Sequence, residues 1–362
     1  MTTFAPVVSV DAITPGWLTA MLSSAGVLQS GRVVSVDRQP CGTGQLADSY
    51  RFALTYEPAA SGPATVVGKF TSADAASRDF GRKSGYYRCE IGFYREIAPG
   101  LPISRPHSFH AALADNGCDF VLIMEDLAPA RTVDQLAGCS ADEASLVLEQ
   151  AAALHAASWR RSDLASKPWL QATVKQFIGV TDGFPTTVAA FPEQVGDLAS
   201  EADLQEAAKL NDHLETWKRV FSEPRCLWHN DFRLDNVLFD ANGGANQAVT
   251  ILDWQGLGIG CGTIDVSYFL GASLTTAERR NNERDLVRHY HEKLVSLGVG
   301  DYTAEQCWDD YRVLAVHGLQ VGVFGAGAVK RTPRGDTMWR NWIQRCAEQT
   351  RDLDSFAALA RR

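Results

Sequence analysis

The stretch His229-Asn230-Asp231-Phe232-Arg233-Leu234-Asp235-Asn236 decides the reading of this 362-residue chain. It runs into the apolar residues Val237-Leu238-Phe239, and seventeen residues past Asn236 comes Asp253-Trp254-Gln255-Gly256. A turn at Asn242-Gly243-Gly244 and a strand at Val249–Leu252 are expected between them. An aspartate on a rigid loop can accept the proton of a hydroxyl. An asparagine five residues later can turn its amide oxygen toward a divalent cation, and a second aspartate at a strand end adds a charged oxygen ligand. That spacing suits in-line phosphoryl transfer, which needs an oriented hydroxyl and metal-bridged phosphates.

The residues upstream supply further parts in a matching order. Cys41-Gly42-Thr43-Gly44 lies between β-rich segments, where Gly42 and Gly44 suit a turn whose backbone N–H groups cover phosphates. Lys69 ends the apolar strand Val66-Val67-Gly68-Lys69 and is placed to reach phosphate oxygens. Glu90 sits in the helix-like stretch of about 85–97, where it or Glu96 could pair with Lys69. The segment Phe120–Met124 runs into Glu125-Asp126-Leu127, where the backbone of Glu125 and Leu127 could hydrogen-bond an adenine edge.

Read outward from there, the chain divides in two. Short β-rich segments at Val33–Val36, Ser49–Tyr56 and Thr65–Phe70 predict an antiparallel meander. Thr14-Pro15 followed by Trp17, Leu18 and Leu22 predicts a capped helix that Gly26 ends. After Leu127, Ser140-x-x-Glu143 is a capping box. Helical patterns recur near 201–221, 276–296, 303–324 and 339–360. The expected class is α+β. Residues 1–127 would form a small β-rich lobe with an N-terminal helix, and residues 128–362 a large helical lobe.

Composition sets outer bounds. Lys plus Arg is 34 and Asp plus Glu is 43, giving a formal charge of −9, which argues against a nucleic-acid polymer as partner. Hydrophobic residues are 45% and charged residues 21%, the usage of a folded protein rather than a disordered one. The N-terminal residues lack a basic start followed by an apolar stretch, and no apolar run approaches the roughly 20 residues of a membrane helix. Eight cysteines without a C-x-x-C pair read as reduced thiols of a cytoplasmic protein.

The ordered set of motifs resembles the aminoglycoside phosphotransferase and choline kinase superfamily of small-molecule kinases, and within it the ecdysteroid-kinase-like branch. The resemblance covers about residues 35–275. It implies a bilobal protein-kinase-like fold that uses ATP and Mg²⁺. By that resemblance Asp231 is the catalytic-loop aspartate, Asn236 and Asp253 are the metal ligands, and Lys69 with Glu90 is the strand lysine and its helical partner. Glu90-Ile91-Gly92-Phe93-Tyr94 looks like the family's Glu-x-x-Phe-Tyr helix, and Asp265 matches an aspartate that braces the loop. His229 is expected to hydrogen-bond the loop backbone, and His155 to be a satisfied core histidine.

Three departures bear on the acceptor rather than on the ATP chemistry. Asn230 stands where Gly or Arg is commoner, Ala47 stands at the third glycine of a protein-kinase loop, and no Ala-Pro-Glu segment follows Asp253. A small-molecule hydroxyl is therefore the expected acceptor. A kinase-fold protein that binds nucleotide without turnover, and a protein kinase, are the alternatives. Trp308, Tyr311, Phe324, Trp339 and Trp342 could form an aromatic wall for the acceptor or belong to an ordinary helical core. Asp301, Glu305, Asp309 and Asp310 read as a solvated helix start.

Overall fold

The structure is a computed structural model, and it describes residues 5–42, 44, 46–58, 62–223, 225–241, 248–329 and 331–362. The chain forms two compact units: Met1–Gly100, Arg105–Pro129 and Asp253–Gly256 in one; Leu101–Ser104, Ala130–Leu252 and Leu257–Arg362 in the other. Two short segments are thus exchanged between the halves of the sequence. The exchange puts Asp253 in the first unit with Lys69 and Glu90.

The first unit is built on a five-stranded antiparallel sheet: β1 (Arg32–Cys41), β2 (Ala47–Glu57), β3 (Thr65–Thr71), β4 (Ser108–Leu113) and β5 (Phe120–Glu125). Their spatial order is β1-β2-β3-β5-β4. Side chains alternate along a strand. On β3 this sends Val66, Gly68 and Phe70 into a core with Phe52, Val121 and Ile123, and Lys69 to the other face. Gly68 has no room for a side chain, since a Cβ there would sit 2.8 Å from the rings of Phe52 and Phe70. Helix α1 (Pro15–Ser24) closes the core with Trp17, Leu18 and Leu22; Thr14 caps it by accepting from the Trp17 N–H, and Gly26 follows at φ +72°.

α2 (Ala75–Lys83) and α3 (Tyr86–Gly92) complete the unit. The 85–97 stretch is not one α-helix: α3 passes into a π-helical turn over Phe93–Ile97. Such a turn re-registers the side chains beyond it. Phe93 then lies face to face with Trp254, ring centroids 3.9 Å apart. β4 and α2 carry little sequence signal, since β4 has no alternating pattern and α2 buries only Gly81. Of the expected turns, Thr43 and Asn242-Gly243-Gly244 lie outside the described residues.

The second unit is helical: α4 (Ala141–Ala157), α5 (Ser162–Ala165), α6 (Pro168–Val195), α7 (Glu201–Ala208), α8 (Leu214–Ser222), α9 (Thr263–Ser273), α10 (Thr276–Ser296), α11 (Ala304–Leu314), α12 (Val316–Ala328), α13 (Pro333–Asp352) and α14 (Ser355–Leu359). The capping box of Ser140 and Glu143 opens α4 as read from sequence. Three of the expected helical stretches are each broken in two, at 209–213, 315 and 353–354. α6 escapes sequence reading because Pro185 and Pro192 lie inside it. α9 escapes it because all eleven of its residues are buried, so it has no polar face to set a period.

Two small ladders frame the 229–236 loop. β6 (Cys226–Trp228) pairs with β9 (Gly258–Gly260), and β7 (Val237–Phe239) pairs with β8 (Val249–Ile251). β9 is glycine-ended because its neighbours crowd it. A Cβ on Gly258 would sit 1.8 Å from Trp228 Nε1, and one on Gly260 2.3 Å from the Phe221 carbonyl.

Candidate active site

In the first unit, Lys69 is the centre of a charged cluster. Its Nζ donates to Glu90 at 2.8 Å and to Asp253 Oδ1 at 2.9 Å. Lys69 is 12% exposed and Glu90 3%, while Asp253 keeps 23% of its side chain open. Glu96, the other carboxylate on the same stretch, is exposed. Burial by itself would lower the Lys69 ammonium, but Asp253 and Glu90 outweigh it and hold Lys69 above its ordinary value. Burial pushes the Glu90 carboxyl up, opposed by the Lys69 charge. The backbone N–H of Trp254 also serves Glu90, and Cys89 Sγ reaches the Trp254 carbonyl at 3.6 Å.

Asp253 itself stands at φ +61°, a conformation L-residues adopt rarely and Asp more readily than most. Its second oxygen, Oδ2, accepts from Gln255 Nε2 at 3.2 Å. Local strain of this kind persists where surrounding contacts over-determine it. Here the ion pair to Lys69 and the Trp254–Phe93 stack do so.

The other expected nucleotide-binding positions differ among themselves. Gly42 follows β1 at φ +76°, so a side chain there would be strained; Gly44 is exposed. Glu125 is already engaged: its N–H donates to the His107 carbonyl at 2.9 Å and its carboxylate accepts from the His107 N–H at 2.7 Å. Leu127 is buried by its side chain, while its backbone N–H and C=O make no hydrogen bond among the described residues. Between them, Asp126 is bound by Arg51 at 2.6 and 3.0 Å, which fixes the segment to β2.

In the second unit, the loop 229–236 is built around two aspartates. Asp265, 1% exposed on α9, accepts the His229 N–H at 2.6 Å and the Asn230 N–H at 2.9 Å. His155 joins it at 3.2 Å and reaches Tyr290 at 2.8 Å. His229 bridges the loop: Nε2 meets the Leu252 carbonyl at 2.9 Å and Nδ1 accepts the Asp231 N–H at 3.3 Å. A ring carrying its proton on Nε2 satisfies both bonds. Asn230 sits at φ +71°, where Asn and Gly are tolerated and most residues are not.

The Asp231 carboxylate accepts three side-chain donors. Arg233 Nε donates to Oδ1 at 2.9 Å, the Tyr268 hydroxyl to Oδ1 at 3.1 Å, and Asn236 Nδ2 to Oδ2 at 2.8 Å. Burial alone would raise the Asp231 carboxyl. Arg233 and the Asn236 and Tyr268 hydrogen bonds overcome that and keep it below its ordinary value. Asn236 Nδ2 also donates to the Asp231 carbonyl at 2.9 Å, so its amide oxygen is what remains for a ligand.

Two residues near this loop carry weight that their sequence positions did not show. Gln135 joins it to α9, accepting the Leu234 N–H at 2.9 Å and donating to the Ala272 carbonyl at 2.9 Å. Tyr268 sits in a helix with no periodic signal. The aromatic wall resolves into two groups. Tyr311 and Trp342 are buried core residues, and Trp308, Phe324 and Trp339 are part-exposed. The acidic cluster near 301–310 is not uniformly solvated. Asp310 is buried, paired with Arg225 and Arg362 and bonded by the Tyr302 hydroxyl at 2.8 Å. Burial without those partners would cost several kcal/mol, which is why it keeps them.

Among the described residues no group of three or more His, Cys, Asp or Glu side chains is placed to hold a metal ion, and no helix is long and apolar enough to cross a membrane.

The ecdysteroid kinase-like family model matches residues 46–298, more than half of the chain. No curated protein sequence matches it. Among solved structures, an ethanolamine kinase from Plasmodium vivax superposes with a TM-score of 0.52 at 9% identity, covering 88% of this chain and 84% of that one. The ADP-bound aminoglycoside phosphotransferase APH(2'')-Ib gives 0.46 at 15% identity, over 88% of this chain and 95% of that one. A Ralstonia eutropha JMP134 protein described as an aminoglycoside phosphotransferase gives 0.49 at 14% identity, over 92% and 97%. The first of these establishes the fold class, α+β and bilobal kinase-like. With the family model matched over residues 46–298, a range that includes Lys69, Glu90, the 229–236 loop and Asp253, the chain belongs to the ecdysteroid kinase-like family.

Proposed function

We propose that this protein is an ATP- and Mg²⁺-dependent phosphotransferase that moves the γ-phosphoryl group of ATP to a hydroxyl of a small molecule. The observation that carries this is the buried Lys69 ammonium held by Glu90 and Asp253. A lysine fixed between two carboxylates is costly to bury, and its natural use is to meet phosphate oxygens. Family membership supports the general reaction.

On this reading residues 1–127 serve as the ATP-binding lobe and residues 128–362 as the catalytic and substrate-binding lobe. Lys69 binds the α- and β-phosphates, with Glu90 keeping it in place. Gly42 and Gly44 cover phosphates through their backbone. For the adenine edge, the backbone N–H and C=O of Leu127 make no hydrogen bond among the described residues, while at Glu125 the N–H is held by His107, which leaves the Glu125 carbonyl as the group it would offer. Asp231 orients the acceptor hydroxyl and receives its proton late, as suits a carboxylate kept ionised.

The oxygen donors fit Mg²⁺. Asp253 offers a carboxylate 23% open to solvent, and Asn236 an amide oxygen left over after both its amide hydrogens are used. When bound, the ion supplies charge neutralisation on the β- and γ-phosphates. Most of the rate enhancement then comes from positioning and fixed electrostatics. Eight free cysteines and the need for ATP suit a cytoplasmic setting.

The test is ADP release from Mg-ATP over sterols, amino alcohols, aminoglycosides, sugars and nucleosides. Acceptor-dependent ADP supports the proposal. Thermal stabilisation by Mg-ATP with no ADP from any acceptor would mark a nucleotide-binding protein without turnover instead. Label passing from ATP to protein acceptors would mark a protein kinase.

A further inference from the structure

A carboxylate offers two oxygens with about two lone pairs each, so four donors fill it. On Asp231 they are filled unequally. Oδ1 takes two donors, Arg233 Nε at 2.9 Å and the Tyr268 hydroxyl at 3.1 Å. Oδ2 takes one, Asn236 Nδ2 at 2.8 Å. The side chain is 30% exposed, and Oδ2 accepts a single donor among the described residues.

Both donors on Oδ1 are themselves fixed. Arg233 Nη1 is bound by Asp235 Oδ2 at 2.6 Å and lies 3.7 Å from Met338 Sδ, with the guanidinium 5.9 Å from the Trp342 ring centre. Tyr268 is buried and meets the same Trp342 ring edge-on at 5.0 Å. One indole thus backs both groups that occupy Oδ1.

We propose that the acceptor hydroxyl docks on Asp231 Oδ2, and that Arg233 and Tyr268 are the positioning residues that enforce this choice by filling Oδ1. The inference rests on Asp231 being the base of the phosphotransferase reading. In the step, the acceptor oxygen forms its bond to the γ-phosphorus as the bond from that phosphorus to the ADP oxygen breaks. The hydroxyl proton passes to Oδ2, and Arg233 stays on Oδ1. With Oδ1 unfilled, the hydroxyl has two docking choices and the carboxylate can turn. A misplacement of about 1 Å costs on the order of 100-fold in rate.

The experiment measures ADP release from Mg-ATP, with water or the best alcohol as acceptor, in wild type, Arg233→Met, Arg233→Lys and Tyr268→Phe. Met and Phe should each lower kcat by about tenfold or more while the KM for ATP stays within about twofold. Lys, whose ammonium can still donate to Oδ1, should recover part of the loss. Unchanged kcat in the Met and Phe variants, or a Lys variant no better than Met, overturns the proposal. A second arm needs no turnover: urea unfolding without nucleotide. Arg233→Met should shift the unfolding equilibrium about tenfold or more in wild type and about threefold or less in the Asp231→Asn background. Equal shifts in both overturn the hold of Arg233 on Asp231. A wild type that releases no ADP overturns the phosphotransferase reading and the docking with it, and the unfolding cycle still decides whether Arg233 holds Asp231.

Discussion

The Lys69 ammonium stands 2.8 Å from the Glu90 carboxylate, and the two side chains are 12% and 3% exposed. Neither would be stable there alone, since a buried charge without its partner is strongly destabilising. Lys69→Met should therefore cost about 3–5 kcal/mol of unfolding free energy, because it leaves Glu90 and Asp253 facing each other uncompensated. It should also weaken ATP binding by about tenfold or more, the loss of a charge-assisted contact to phosphate. Urea unfolding and calorimetric titration with Mg-ATP check the two parts separately. A variant as stable as wild type would remove the argument that this pair is a buried one.

Asp265 differs from Lys69 in acting on backbone rather than on ligand. Its carboxylate takes the N–H groups of His229 and Asn230. Asp265→Asn replaces one acceptor oxygen with a donor that faces an N–H. It should cost about 2 kcal/mol or more. ATP binding should survive while ADP release falls, since the Lys69 cluster belongs to the other unit. Parallel loss of both activities at temperatures where the variant stays folded would contradict this.

His317 gives the fold a pH limit. It is fully buried against Phe177, Trp228 and Tyr268, and burial pushes its imidazole down to about 4 from an ordinary 6.5. The unfolded chain protonates this histidine near 6.5 and the folded chain does not until about 4. Its contribution is complete above 6.5 and is lost as pH falls toward 4, by about 3 kcal/mol in all. His317→Phe should flatten that part of the stability–pH curve. Urea midpoints between pH 7 and pH 4 measure it, and parallel curves for the two proteins would contradict the assignment.

The Trp254–Phe93 stack, at 3.9 Å and 8° between planes, ties the residue after Asp253 to the π-helical turn. Phe93→Ala should cost about 3–5 kcal/mol as a large-to-small change in a closed core. Trp254→Phe, which keeps an aromatic face, should cost less. Thermal midpoints rank the two, and a Trp254→Phe variant less stable than Phe93→Ala would contradict the account of this stack.

The 229–236 stretch was legible because its signal is local: eight consecutive residues hold Asp231, Asn236 and the loop's own turn, which on the proposed reading are the base, a metal ligand and their support. The pairing of Lys69 with Glu90 was legible through the resemblance of Glu90-Ile91-Gly92-Phe93-Tyr94. The π-helical turn over Phe93–Ile97 was not, because no pattern of apolar residues marks it. Helix α9 left no trace for the opposite reason to a loop: buried on all sides, it reads as an apolar run without period. Tyr268 and Gln135 were invisible because their partners are 37 and 99 residues away in sequence. The solvated reading of Asp310 failed on the same ground, with Arg225 85 residues distant.

The central claim is that Asp231 is the base that orients a small-molecule hydroxyl for transfer from ATP. The most direct measurement compares wild type with Asp231→Asn in Mg-ATP binding and in acceptor-dependent ADP release. The account predicts ATP affinity within about twofold of wild type and ADP release lower by about 100-fold or more. Equal ADP release from the two proteins would contradict it.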